Sequence, residues 1–168
     1  MWQVNPLRSR PMNTSNNFQI RALSSEVADL ARKTRVDHFG NTLGVLRDGN
    51  PHQCRVCLTM SQPDEGVILM AHCPFESSQP YSETGPIFVH EQTCQPYKDN
   101  LVYPPTFPRS AVVLRAYSSD DRILDAQVVG ERGVETVIAE LFANPAIAYL
   151  HARNLGYGCF MFRIDRAS

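Results

Sequence analysis

The stretch from Ala111 to Asp165 constrains the fold most. Val134, Val137, Ile138, Leu141 and Phe142 stand at i, i+3, i+4, i+7 and i+8, one apolar stripe on a helix expected from Gly130 to Asn144. Asn144-Pro145 ends it, because proline disfavours helical backbone in the residue before it. Ahead of the helix, Ala111 to Tyr117 and Ile123 to Val129 read as strands joined by the turn Ser118-Ser119-Asp120-Asp121. After it, Ala146 to Arg153 and Cys159 to Asp165 read as two more. They are joined across Asn154-Leu155-Gly156-Tyr157-Gly158, where glycine supplies positive φ.

The earlier segments carry weaker signals. Phe18 to Leu23 alternates and reads as a strand. Ser24-Ser25 caps a short helix to about Lys33, with Glu26 and Asp29 near its positive end and Val27, Leu30 and Ala31 on its inward side. Gly40, Gly44 and Asp48-Gly49-Asn50-Pro51 are turn chemistry. Cys54 to Met60 and Val67 to His72 are β-type runs joined by the polar residues 61–66. Residues 95–109, with Pro96, Pro104, Pro105 and Pro108, read as an extended surface connection inside one domain. The expected fold is α+β: a single domain over residues 18–168, a mostly antiparallel sheet of about eight short strands, and two helices packed on one face. Residues 1–17 are rich in Asn, Ser, Arg and Pro, and are expected to form a flexible N-terminal arm.

Composition narrows the function. The chain has 168 residues, enough for one real core, and 43% of them are hydrophobic. A formal net charge of −1 argues against a nucleic-acid backbone or an anionic membrane as partner. No window is apolar over the length a bilayer requires, and no apolar stretch follows Arg8 and Arg10, so neither a membrane span nor a secretory signal is expected. Five cysteines, an odd number, point to free thiols in a reducing, cytoplasmic compartment.

Cys54-Arg55-Val56-Cys57-Leu58 is one of several linked motifs. The others are Pro80-Tyr81 through Gly85-Pro86-Ile87-Phe88-Val89-His90, then Tyr149-Leu150-His151-Ala152-Arg153-Asn154 and Gly158-Cys159-Phe160. Together they resemble a bacterial family catalogued as domain of unknown function 1203, from about Phe18 to Arg166. Gln53 departs from that pattern, which places a proline before the first cysteine. The resemblance implies a one-domain bacterial protein and carries over no activity, cofactor or catalytic residue.

Two constellations carry possible chemistry. Cys54, Cys57, His90 and Cys94 have the composition of a zinc site with three thiolates and one imidazole. Such a site needs a tight turn between the first two cysteines. Arg55-Val56 followed by Leu58 reads as strand, with no glycine after it, and residues three apart on a strand point to opposite faces. If extended, His90 and Cys94 stand about 13 Å apart at roughly 3.3 Å per residue, too far for one ion; a turn at Glu91-Gln92-Thr93 removes that obstacle. The other constellation is a set of basic and hydrogen-bonding residues placed by strand alternation. Tyr149, His151 and Arg153 share one face, Arg115 and Tyr117 share another, and Arg163 and Arg55 also fall mid-run.

If these strands are neighbours, one sheet face collects guanidinium and imidazole groups suited to carboxylate or phosphate oxygens. The first expectation is therefore a small-anion-binding protein using Arg55, His90, Arg115, His151 and Arg153. The second is a thiol- or zinc-dependent enzyme using Cys54, Cys57, His90 and Cys94. The third is a protein-interaction module that docks a partner on Pro96 to Pro108. The chain has no nucleophile elbow, phosphate loop or dinucleotide fingerprint, so no catalytic residue is assigned.

Overall fold

Short alternating strands need two faces with different neighbours. The computed structural model, which describes residues 17–167, supplies them in two antiparallel sheets. In chain order the elements are β1 (Phe18–Arg21), α1 (Ser25–Thr34), β2 (Val45–Leu46), β3 (Val67–His72), β4 (Gly85–His90), β5 (Val112–Tyr117), β6 (Ile123–Val128), α2 (Val134–Phe142), β7 (Tyr149–Asn154) and β8 (Phe160–Arg166). The larger sheet has the order β1-β8-β7-β5-β6 and the smaller one β2-β3-β4. The class expected from the sequence is the class observed, a single α+β domain of eight short strands and two helices among the described residues. The arm expected over residues 1–17 lies outside the described residues, apart from Asn17, whose carbonyl accepts the Ala167 N–H at 3.1 Å.

Each helix serves its own core. The stripe of α2 buries Val134, Val137, Ile138 and Leu141 against the inner residues of the larger sheet, among them Leu114, Leu150, Phe162 and Ile164. Its first turn is displaced from the expectation: Gly130–Arg132 forms one 3-10 turn, and Gly133 at φ 87° starts the α-helix proper. In α1 the inward residues are Ala28 and Ala31, packed with Ile68, Met70, Ile87 and Val89 of the smaller sheet. Val27 and Leu30, expected inside, are 37% and 61% exposed. The small side chains take the inward positions, and the bulkier ones just before each of them are turned outward.

Residues 95–109 also depart from the surface connection the prolines imply. Tyr103 and Phe107 are buried in the larger core, both against the ring of Phe162. Main-chain bonds fasten the segment at Tyr97 N–H to Val56 O and at Ile20 N–H to Asn100 O, and the Thr106 hydroxyl donates to Leu58 O. Among the described residues no helix is long and apolar enough to cross a membrane.

Phe162 is thus where β8, the 95–109 segment and α2 meet. Phe162→Ala is expected to cost about 3–5 kcal/mol. Urea unfolding monitored by circular dichroism measures it, and a loss under about 1 kcal/mol, the scale of a surface change, contradicts the packing.

Candidate metal centre

The run Cys54 to Met60, read as a strand, is a tight turn. Leu58 N–H donates to Cys54 O at 3.1 Å and Cys54 N–H donates to Thr59 O at 2.9 Å, closing the chain on itself around Arg55-Val56-Cys57. The closure needs a residue in left-handed conformation, and Leu58 takes it at φ 54°. A non-glycine residue there costs about 1–2 kcal/mol. Leu58 is 1% exposed in the larger core, and full burial of such a side chain contributes about 1.5–3 kcal/mol. Burial wins, so the turn forms without glycine. On the opposite edge of the site β4 ends at His90, and the chain bends at Glu91-Gln92 to bring Cys94 back.

These two turns bring Cys54, Cys57, His90 and Cys94 together, with one ligand atom from each lying within 4.8 Å of all the others. Two sulfurs each about 2.3 Å from one tetrahedral ion sit about 3.8 Å apart, and a sulfur and a ring nitrogen about 3.5 Å apart. Cys54 Sγ and Cys94 Sγ are separated by 3.8 Å, and Cys57 Sγ and His90 Nδ1 by 3.5 Å. A disulfide needs about 2.05 Å, and all five cysteines are free. Cys54 is fully buried in the smaller core, while Cys57 and Cys94 are half-buried at its rim.

The surroundings suit a cluster of anionic sulfurs. Arg32 reaches in from the last turn of α1: its Nε donates to His90 O at 3.0 Å and its Nη2 lies 3.8 Å from Cys94 Sγ. The Thr59 hydroxyl is 3.1 Å from Cys57 Sγ. Nδ1 of His90 faces the sulfurs, and its Nε2 points toward Glu65, whose Oε2 is 3.6 Å away. A carboxylate on the far nitrogen is the usual partner of a metal-binding imidazole. Glu65 is itself fixed, accepting the Gln62 N–H at 2.7 Å. Hydrogen bonds from the Cys57 and Cys94 thiols hold the Cys54 thiol far below the usual range. Hydrogen bonding to Cys54 and then Cys57 raises His90 to about 10. The pocket therefore favours one thiolate, at Cys54, while hydrogen bonding to Cys54 and Cys57 pushes the Cys94 thiol up; it draws protons to its thiol and imidazole, and a cation at its centre would release them. The ligand types were legible as residues, and Thr59 lies beside Cys57 in the same turn; Arg32 and Glu65 had no signal in spacing, since they arrive from other segments.

The residues expected to form an anion-binding face divide between three places. Arg55 is a buried strut: its Nε donates to Phe160 O at 2.6 Å, its Nη1 donates to Gln53 O, and burial lowers it to about 10. His90 stands with the cysteines. Arg115, His151 and Arg153 are on one face of the larger sheet, where Arg115 pairs in register with His151 and His151 with Arg163. Arg115 and Arg153 both meet the carboxylate of Glu83. Arg163 lies 3.7 Å over the Tyr149 ring and donates to Asp165. His151 is wholly buried among the rings of Phe75, Tyr117, Tyr149 and Phe160, and neither ring nitrogen has a partner.

The chain is a compact α+β protein in which Cys54, Cys57, His90 and Cys94 are placed so that their ligand atoms could surround one metal ion. The chain belongs to the family described as protein of unknown function (DUF1203), whose model matches residues 50–166, a span that includes all four cluster residues. No curated protein and no solved structure matches it.

His151 makes the fold acid-sensitive. Burial, reinforced by Arg153, Arg163 and Arg115, lowers it from 6.5 to about 2. The unfolded chain binds a proton at this residue below about pH 6.5 while the folded chain does not, so stability falls as pH drops from there. The slope contributed by one such proton approaches about 1.4 kcal/mol per pH unit. His151→Phe is expected to flatten urea-derived stability between pH 6 and pH 4 by about that slope; an unchanged slope contradicts a buried neutral imidazole.

Proposed function

We propose that this chain is a zinc-binding protein whose ion is structural, held by Cys54, Cys57, His90 and Cys94. The observation that supports it is the spacing of the donor atoms, which matches a tetrahedral shell at the two separations of 3.8 and 3.5 Å. Thiolate-rich sets favour zinc over magnesium or calcium, which take oxygen ligands. Four protein ligands close the coordination sphere and leave no position for water or substrate, the mark of a structural and not a catalytic site. Three thiolates and one Zn²⁺ sum to one negative charge, and Arg32 beside Cys94 offsets it.

The ion would clamp three segments that local sequence does not hold together: the Cys54–Leu58 turn, the end of β4 and the bend that returns Cys94. In zinc-finger peptides such an ion supplies about 10–16 kcal/mol at neutral pH, so this domain would depend on it for much of its stability.

Protein purified without a polyhistidine tag is expected to carry about one equivalent of zinc by elemental analysis. Cys54→Ser and Cys94→Ser are expected to lose the metal and lower Tm by about 10 °C or more. Cys159→Ser, a thiol outside the cluster, is expected to keep both zinc and Tm. Metal-replete wild-type protein without zinc, or zinc retained by the cluster variants, overturns the proposal.

A further inference from the structure

We propose that the cleft between the 73–84 loop and the polar face of the larger sheet binds a small monocarboxylate, its oxygens held between Arg115 and Arg153. The cleft encloses about 260 Å³ and sits over the registered row of polar residues on β5 and β7. Its floor is charged and in part buried. The Arg153 side chain is 5% exposed and Nη1 donates to Gly158 O at 3.1 Å, yet its Nε has no partner. Its Nη2 is 2.7 Å from Glu83 Oε1 but out of line for a hydrogen bond. The hydroxyl of Tyr117, wholly buried, lies against both guanidinium groups without a well-formed hydrogen bond. Buried donors left this way are costly, and native structures keep few of them.

Charge fixes the class of ligand. Two guanidiniums meet one carboxylate, so the cleft holds one positive charge in excess, and His151 behind it is held neutral. A monoanion restores balance; a dianion exceeds it. Geometry selects carboxylate. Glu83 already sets a carboxylate oxygen against both arginines, and guanidinium forks match that planar group. Glu83 occupies only part of each guanidinium, and Arg153 Nε is left without a partner, so an incoming carboxylate can bind beside it and leave the count of charges as it stands. Phe160 and Pro86 give the cleft an apolar wall, and Tyr157, 89% exposed, stands at its mouth. These favour a carboxylate with a short aliphatic or aromatic body.

Titration calorimetry of the full chain, as purified, with propionate, benzoate and inorganic phosphate at low salt tests this. One or both carboxylates are expected to bind with unit stoichiometry and more tightly than phosphate. Arg115→Gln is expected to weaken them about tenfold or more, the effect of losing one partner of a buried charge contact. Glu83→Gln, which removes a like charge beside the ligand, is expected to tighten them about two- to fivefold. A melting curve like the wild type's shows that Arg115→Gln is folded; if it is not, Glu83→Gln decides alone. Absence of binding, tighter binding of phosphate, an unaffected Arg115→Gln, or weaker binding by Glu83→Gln each overturns the proposal.

Discussion

The turn from Cys54 to Leu58 is the constraint on which the rest of the molecule depends. Its five residues face two ways at once. Cys54 and Val56 are buried in the smaller core, and Leu58 is buried in the larger one. Its backbone is the meeting point of distant segments: Arg55 N–H donates to Phe88 O of β4, Leu23 N–H to Arg55 O, and Tyr97 N–H to Val56 O. The Arg55 side chain carries the link on to Phe160 at the start of β8. Two sheets that share no strand are joined through this turn, which also supplies Cys54 and Cys57 to the cluster. A bound ion at that place would fix the relation of the two sheets as well as the local loop.

The larger sheet has the opposite problem on its outer face. An antiparallel sheet commonly leaves one face to water, but Tyr149, His151 and Arg153 are all buried. The 73–84 loop and the smaller sheet cover them, which puts guanidinium and imidazole groups in a poorly solvated place. The chain meets the cost in two ways. Rings of Phe75, Tyr117, Tyr149 and Phe160 surround His151 and keep it neutral, and Glu83 meets Arg115 and Arg153 from the loop. The satisfaction is partial: Tyr117 Oη and Arg153 Nε beside the cleft, and both ring nitrogens of His151, are left without a hydrogen bond. The cysteine–histidine cluster and the cleft are thus two polar sites that share no residue.

What the sequence disclosed follows from what is local. The stripe Val134, Val137, Ile138 and Leu141 and the alternation of β5, β7 and β8 are periodic, and structure and reading agree there. The faces shared by Tyr149, His151 and Arg153 and by Arg115 and Tyr117 came from the same alternation. The four cluster residues could be named, but their meeting could not be derived. It depends on Leu58 accepting positive φ because core residues distant along the chain, Tyr103 and Phe107 among them, close over it. Local propensity argues against that conformation, and tertiary burial overrides it. For the same reason the prolines of residues 95–109 read as surface while Tyr103 and Phe107 go inside, and the division into two sheets, set by long-range pairing, left no mark in spacing.

X-ray absorption at the zinc edge of the untagged protein reads the proposed ligand set atom by atom. A first shell of three sulfurs at about 2.3 Å and one nitrogen at about 2.0 Å is expected. A shell of oxygen and nitrogen without sulfur, or the absence of zinc from folded protein, would contradict it.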